Sequence, residues 1–151
     1  MRDTIKPLYQ SVYTTGYEGK DIDEFLQYLG SYNIRRVVDI REIPISRKKG
    51  FSKTILQQRL AENDIDYIHI KALGSPSHLR KKVYQDKDFE YFFEKYEEHL
   101  ESCLAELERL YEVINEKLSC LLCFERDYTP EWSRHGRVRL RALHNFPWMY
   151  N

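Results

Sequence analysis

The sequence carries no excess charge of either sign: 24 Lys and Arg balance 24 Asp and Glu. There is therefore no global field that would by itself hold a polyanion or an acidic membrane. Cysteine is scarce, with only Cys103, Cys120 and Cys123 in 151 residues. An odd, small number excludes a disulfide framework and predicts reduced thiols in a cytoplasmic protein. No apolar run approaches the roughly 20 residues needed to span a bilayer. The opening MRDTIKPLYQ also lacks the apolar stretch of a secretory signal, so the expectation is a protein neither exported nor embedded in a membrane. Walker loops, dinucleotide fingerprints, internal repeats and linkers are missing, and His78, His99 and His144 show no metal-ligand spacing. The sequence thus predicts neither cofactor nor metal.

What is present is enough apolar residue, 42%, for one core, with 12 Tyr and 7 Phe supplying amphipathic rings for core edges and site walls. The charge balance is local as well as global. Residues 86–117 hold eleven acidic side chains against Lys87, Lys95, Arg109 and Lys117. The compensating cations gather at Arg47, Lys48, Lys49 and Lys53, at Lys71, Arg80, Lys81 and Lys82, and at Arg134, Arg137, Arg139 and Arg141, which read as mainly loop and helix-end positions.

Strand and helix patterns alternate. LYQSVYTT (Leu8 to Thr15) reads as a strand ending at Gly16, followed by an Asp21-x-x-Glu24 capping box and an apolar stripe at Ile22, Phe25, Leu26 and Leu29. Arg36 to Ile40 reads as a buried parallel strand. The segment from Arg41 to Phe51 contains Pro44 and Gly50 and is expected to be a loop; Ser52 then caps a helix to about Glu62 with Ile55, Leu56 and Leu60 inward. Ile65 to Ile70 forms a third strand, leading to Lys71 and the Leu73-Gly74-Ser75-Pro76 turn. Phe89 to Leu118 keeps helical spacing over a length that requires a bend or a break. Ser119 to Phe124 is the fourth strand, Glu131 to Leu143 a last helix, and NFPWMYN a tail whose aromatics pack back on the domain. The prediction is one α/β domain over residues 1–151, three-layered and Rossmann-like, with about four to five mostly parallel strands.

In such sheets ligands bind beyond the carboxyl ends of the strands, where this sequence places its unusual residues. Gly16-Tyr17-Glu18-Gly19 offers a tight turn and backbone N–H groups in front of a helix, a weak phosphate cradle or simply a turn. Asp39 and Arg41, two apart at a strand end, share a face, so the carboxylate can orient the guanidinium toward a carboxylate or phosphate. Ser46 and Arg47 begin a basic loop that is either solvated or phosphate-holding, and Lys71 follows the third strand. Cys120 and Cys123 have redox-pair spacing, but residues three apart in a strand point to opposite faces, which argues against the pair. Cys123 alone is a small buried apolar residue, or a nucleophile if Arg134 or His135 stabilises its thiolate. Glu125, emerging from an apolar strand, is placed for acid–base work or for pairing with an arginine, and His135 for proton transfer.

Taken together, TTGYEG, VVDIREIPISRKKGFSK, LAENDIDYIHIKALGSP and LLCFERD resemble the DUF488 family of uncharacterised α/β proteins, over most of the chain and in the family's order. The resemblance implies a domain of the type just read, with Gly16, Gly19, Asp39, Arg41, Pro44, Ser46, Arg47, Leu73, Gly74, Cys123 and Glu125 at matching positions. It implies no reaction. Family members follow the CxE strand with a Cys-His-Arg triplet, whereas this chain continues Asp127-Tyr-Thr-Pro-Glu-Trp-Ser-Arg-His without a matching cysteine. The Asp39-Ile40-Arg41-Glu42 segment also looks like a strand end of rhodanese-type sulfurtransferases, with Cys123 as the counterpart thiol. The carboxylates of Glu125 and Asp127 oppose that chemistry.

The leading expectation is a pocket that binds or acts on a phosphate-bearing ligand, a nucleotide or nucleic acid. Arg41, Arg47 and Arg134 would hold the anion, and Asp39 and Glu125 would position or move protons. Three alternatives stand beside it. One is a non-catalytic nucleic-acid or anion-binding module stacking bases on Tyr17 or Trp132. Another is a protein-interaction domain using its acidic helix, and the third is thiol chemistry at Cys123. Neither a physiological partner nor an oligomeric state is legible.

Overall fold

The computed structural model describes residues 13–15 and 19–122. Four parallel strands, β1 (Tyr13–Thr15), β2 (Arg36–Asp39), β3 (Asp66–His69) and β4 (Ser119–Leu122), lie side by side in the order β1-β4-β2-β3. Their registers pair Thr15 with Leu122, Leu122 with Asp39, and Asp39 with His69. The described ends of the four strands therefore lie at one level, and the loops after β2 and β3 leave the sheet at that edge. Residues 8–12 of the expected first strand, the end of the fourth at Phe124, the helix from Glu131 to Leu143 and the aromatic tail lie outside the described residues.

The helices pack on both faces. α1 (Ile22–Ser31) follows β1 and α2 (Lys53–Ala61) follows β2, and both bury their apolar sides against Val37, Cys120 and Leu122. α1 starts where its capping box places it, with the Asp21 carboxylate accepting the Glu24 N–H at 2.8 Å and the Glu24 carboxylate accepting the Asp21 N–H at 3.2 Å. On the other face Val38 and Leu121 meet α4 (Phe89–Glu101) and α5 (Leu104–Glu116) through Leu100, Leu107, Leu110 and Ile114. The alternation of Val37 and Val38 between these two clusters is the two-residue period of a strand buried on both sides. Truncating a fully buried leucine of either cluster, such as Leu60 of α2 or Leu107 of α5, to alanine costs about 2–5 kcal/mol.

Several expectations need correction. The helix pattern from Phe89 to Leu118 is broken, as its length required, at Ser102 and Cys103, where Cys103 leaves helical geometry with φ −114° and ψ 38°. Ile55 is 51% exposed rather than inward, because only Leu56 and Leu60 of α2 face the core. Ser52 occupies the N-cap position of α2 but makes no side-chain cap; its hydroxyl instead donates to the Ser46 carbonyl at 3.2 Å and accepts the Ser46 N–H at 3.0 Å. It closes the preceding loop rather than the helix. The same loop depends on Gly50, whose φ of +92° suits glycine and whose added Cβ would sit 2.7 Å from the Ile22 Cβ.

The element that sequence periodicity did not signal is α3 (Ser77–Asp86), which contains the cations Arg80, Lys81 and Lys82. It buries only Leu79 and Val83, which join Phe92 and Phe93 in a small separate core between α3 and the start of α4. The opposite edge of the sheet, where the strands begin, is tied by Arg36. Its guanidinium donates to the Val113 carbonyl at 2.8 Å, to Glu116 at 2.9 Å and to Asp66 at 3.3 Å, and Lys117 also reaches Asp66.

Candidate functional site

β2 delivers Asp39 to the carboxyl edge of the sheet, fully buried, and Arg41 follows two residues on with 2% of its surface exposed. A buried carboxylate requires partners, and Asp39 has them in full. Oδ1 accepts the Arg41 backbone N–H at 3.1 Å and Nε at 2.8 Å; Oδ2 accepts Arg41 Nη2 at 2.7 Å and the Tyr67 hydroxyl at 2.5 Å. Burial, and then the hydrogen bond to Asp39, hold the Tyr67 phenol far above its ordinary pKa, because a phenolate there would face a carboxylate in a poorly solvated position. His69, at the end of β3, donates from Nε2 to the Arg41 carbonyl at 2.7 Å. The pairing expected between Asp39 and Arg41 is formed, but it locks the guanidinium side-on to its own carboxylate.

The turn after β3 brings a second wall. Lys71–Leu73 is a short 3-10 turn held by α4, where the Tyr96 hydroxyl donates to the Leu73 carbonyl at 2.6 Å and His99 Nε2 to the Ala72 carbonyl at 2.6 Å. Gly74 then packs directly on the chain after β2: a Cβ at this position would meet the Glu42 nitrogen at 2.2 Å, so no larger residue fits. This contact aligns the amino end of α3 with Glu42. The Glu42 carboxylate oxygen Oε2 accepts the Ser77 hydroxyl at 2.9 Å and Arg80 Nη1 at 3.0 Å. Arg80 also donates to the Ser75 carbonyl and, from Nη2, to the Ser77 hydroxyl at 3.1 Å.

Two hollows flank the ridge made by Glu42 and Gly74. One, of about 350 Å³, is lined by Arg41, Glu42, Ile43, Ile45, Ser77, Arg80, Lys81 and Tyr84. The other, of about 380 Å³, is lined by Glu42, Lys71, Ala72, Gly74, Pro76 and His99. The first holds three cationic side chains against one carboxylate and adjoins the amino end of α3, whose aligned peptide dipoles carry positive potential. Its mouth is apolar, with Ile43 half-exposed and Ile45 71% exposed.

The residues singled out in the sequence fall into separate places. Arg41 lies in the wall of the first hollow with Asp39 behind it, and Lys71 lies in the second. Ser46 is half-buried and serves its own loop, its hydroxyl accepting the Lys48 N–H at 3.1 Å, while Arg47 is exposed; neither lines a hollow. Gly19 is an exposed turn residue ahead of α1. Gly16, Tyr17, Cys123, Glu125, Arg134 and His135 lie outside the described residues. Sequence reading missed Glu42, Ser77 and Tyr84 and noted Arg80 and Lys81 only as a charge cluster. The signal available was that cluster directly after the Leu73-Gly74-Ser75-Pro76 turn.

Among the described residues no group of three or more His, Cys, Asp or Glu is placed to hold a metal, and no helix is long and apolar enough to cross a membrane. Comparison with known families matches the chain to the model described as domain of unknown function DUF488 over residues 21–137, a span that includes both hollows. No curated protein and no solved structure matches the chain.

Proposed function

We propose for this chain, which belongs to the DUF488 family, that the hollow between the loop after β2 and the amino end of α3 binds a phosphate-bearing ligand, a nucleotide or nucleic acid. One observation carries the reading: the Ser77 hydroxyl and the Arg80 guanidinium, both in the first turn of α3, already hold an anionic oxygen, that of Glu42, with the exposed Lys81 beside them. A hydroxyl, a guanidinium and a helix amino terminus are the donor set that phosphate oxygens use. Arg41 stands in the wall with its charge neutralised by Asp39, which positions it, so the net positive charge facing the hollow is that of Lys81. With all its acceptor positions engaged, Asp39 is unsuited to remove a proton from a ligand. The reading is accordingly one of binding; proton transfer by Glu125 or His135 and thiol chemistry at Cys123 are not part of it.

Supporting this reading is the location of the hollow at the carboxyl edge of a parallel sheet, the place where Rossmann-like three-layer domains take their ligands. We read residues 1–151 as one such domain, and Cys103 and Cys120, buried and outside any disulfide, suit a cytoplasmic setting. The test is a thermal-shift screen of the wild type and Lys81→Glu with AMP, short single-stranded RNA and DNA, and inorganic phosphate. Lys81 is exposed, so its replacement leaves the fold intact, which Arg41→Ala would not. A ligand at about ten times its Kd stabilises the native state by about 1.4 kcal/mol, which raises Tm by about 3–6 °C in a domain of this size. That rise is expected in the wild type and lost in Lys81→Glu. An absence of any shift in the wild type overturns the proposal.

A further inference from the structure

The donors that make the first hollow attractive to phosphate are occupied by the protein itself. Glu42 Oε2 sits 2.9 Å from the Ser77 hydroxyl and 3.0 Å from Arg80 Nη1, at the first turn of α3, where a ligand oxygen would have to bind. From this geometry we infer that Glu42 is an internal competitor that restricts the site to dianionic phosphomonoesters, excluding the monoanionic diesters of a nucleic-acid backbone and simple carboxylates. The inference rests on the phosphate-binding reading above and sharpens it to a ligand class.

Charge and acceptor count decide which ligands can displace Glu42. A tethered carboxylate competes at an effective concentration in the millimolar range or above. A free carboxylate offers the same single charge and two oxygens, so it gains nothing by exchange. A phosphodiester is also a monoanion with two free oxygens. A phosphomonoester carries about −1.5 to −2 charges at pH 7 and three acceptor oxygens. It therefore satisfies Ser77 and Arg80 and leaves an oxygen for Lys81. Glu42 also has somewhere to go: the residue lines both hollows, and the second contains the exposed cation Lys71. Rotation of the carboxylate across the ridge toward Lys71 frees the donors without leaving the charge in an apolar place.

The experiment is calorimetric titration of the wild type, Glu42→Gln and Lys81→Glu with AMP and with its 5′-methyl phosphodiester, which share a base and a sugar and differ in the charge of the phosphate. Glutamine keeps the shape of the side chain and its acceptor oxygen, and far-ultraviolet circular dichroism checks that each variant is folded. The wild type should prefer AMP by about tenfold or more. Glu42→Gln should bind both esters about tenfold more tightly than the wild type does, because displacing the Glu42 carboxylate costs each ligand alike, and the diester then becomes a measurable ligand. Equal affinity of the wild type for the two esters overturns the inference. So does a Glu42→Gln variant whose affinity for the diester is unchanged or reduced. If AMP binds and Lys81→Glu weakens it while Glu42→Gln has no effect, the competitor role falls and the phosphate-binding reading stands. If neither ester binds any folded variant, both fall.

Discussion

Replacing Tyr67 by phenylalanine removes one oxygen from the structure and tests the buried cluster at the edge of the candidate site. The hydroxyl donates to Asp39 Oδ2 at 2.5 Å, and Oδ2 keeps its bond to Arg41 Nη2 in the variant. A hydrogen bond to a charged group is worth about 1.5–3 kcal/mol. Tyr67 is half-buried and Asp39 retains its other donors, so the lower end applies, about 1.5–2 kcal/mol, or a fall in Tm of about 3–8 °C. The alkaline limb provides a second readout. Because the folded-state pKa of Tyr67 is raised, its contribution is fully present below the ordinary phenol value of about 10 and is lost as pH rises above it. The loss has a limiting slope of about 1.4 kcal/mol per pH unit, reduced by the partial exposure of the ring. Urea denaturation of both proteins at pH 7 and between pH 9 and 11 should show Tyr67→Phe less stable at neutral pH and less sensitive to alkali. A loss below about 0.5 kcal/mol with an unchanged alkaline limb would refute the assignment of the hydroxyl to a buried carboxylate.

Other substitutions test the remaining supports. Arg41→Ala leaves Asp39 buried without its main partner and should cost about 3–5 kcal/mol, measured by urea denaturation. Adding Asp39→Ala should recover part of that loss, giving a double-mutant cycle far from additive. Gly74→Ala forces a Cβ against the Glu42 backbone and should cost about 1–3 kcal/mol while weakening ligand binding, because the amino end of α3 must shift. Lys117, by hydrogen bonding, and then Arg36 hold the Asp66 carboxyl below its ordinary pKa, so its contribution is present above about pH 4 and is lost as pH falls through the lowered value. Asp66→Asn should therefore flatten the acid limb of a stability–pH profile while changing stability at pH 7 by less than about 1 kcal/mol, since the pair is exposed.

Local rules made much of this fold legible. The Asp21–Glu24 capping box, the apolar stripe of α1, the β-branched run of β2 and the break between α4 and α5 all follow from periodicity, capping and length. So does the pairing of Asp39 with Arg41, because two residues of alternation place both side chains on one face. What was not legible depends on contacts between distant segments. α3 has only two aliphatic residues in ten, too few for a periodic signal, and it is held through Phe92 and Phe93 of a helix that comes later in the chain. Glu42 reads as one more charge in a charged loop until Gly74 brings Ser77 and Arg80 against it from 35 and 38 residues away. Ser52 stands at a helix start in sequence, but the loop that folds back through Ser46 takes its hydroxyl.

The central claim is that one hollow, between the loop after β2 and α3, takes a phosphate. The most direct test is a titration of isotope-labelled protein with AMP followed by amide chemical shifts. Saturable shifts are expected at Arg41, Glu42, Ile43 and from Ser77 to Lys81, with little change at Arg36, Asp66 and Lys117 on the opposite edge of the sheet. Shifts that centre on that opposite edge, or no saturable shifts at all, would contradict the claim.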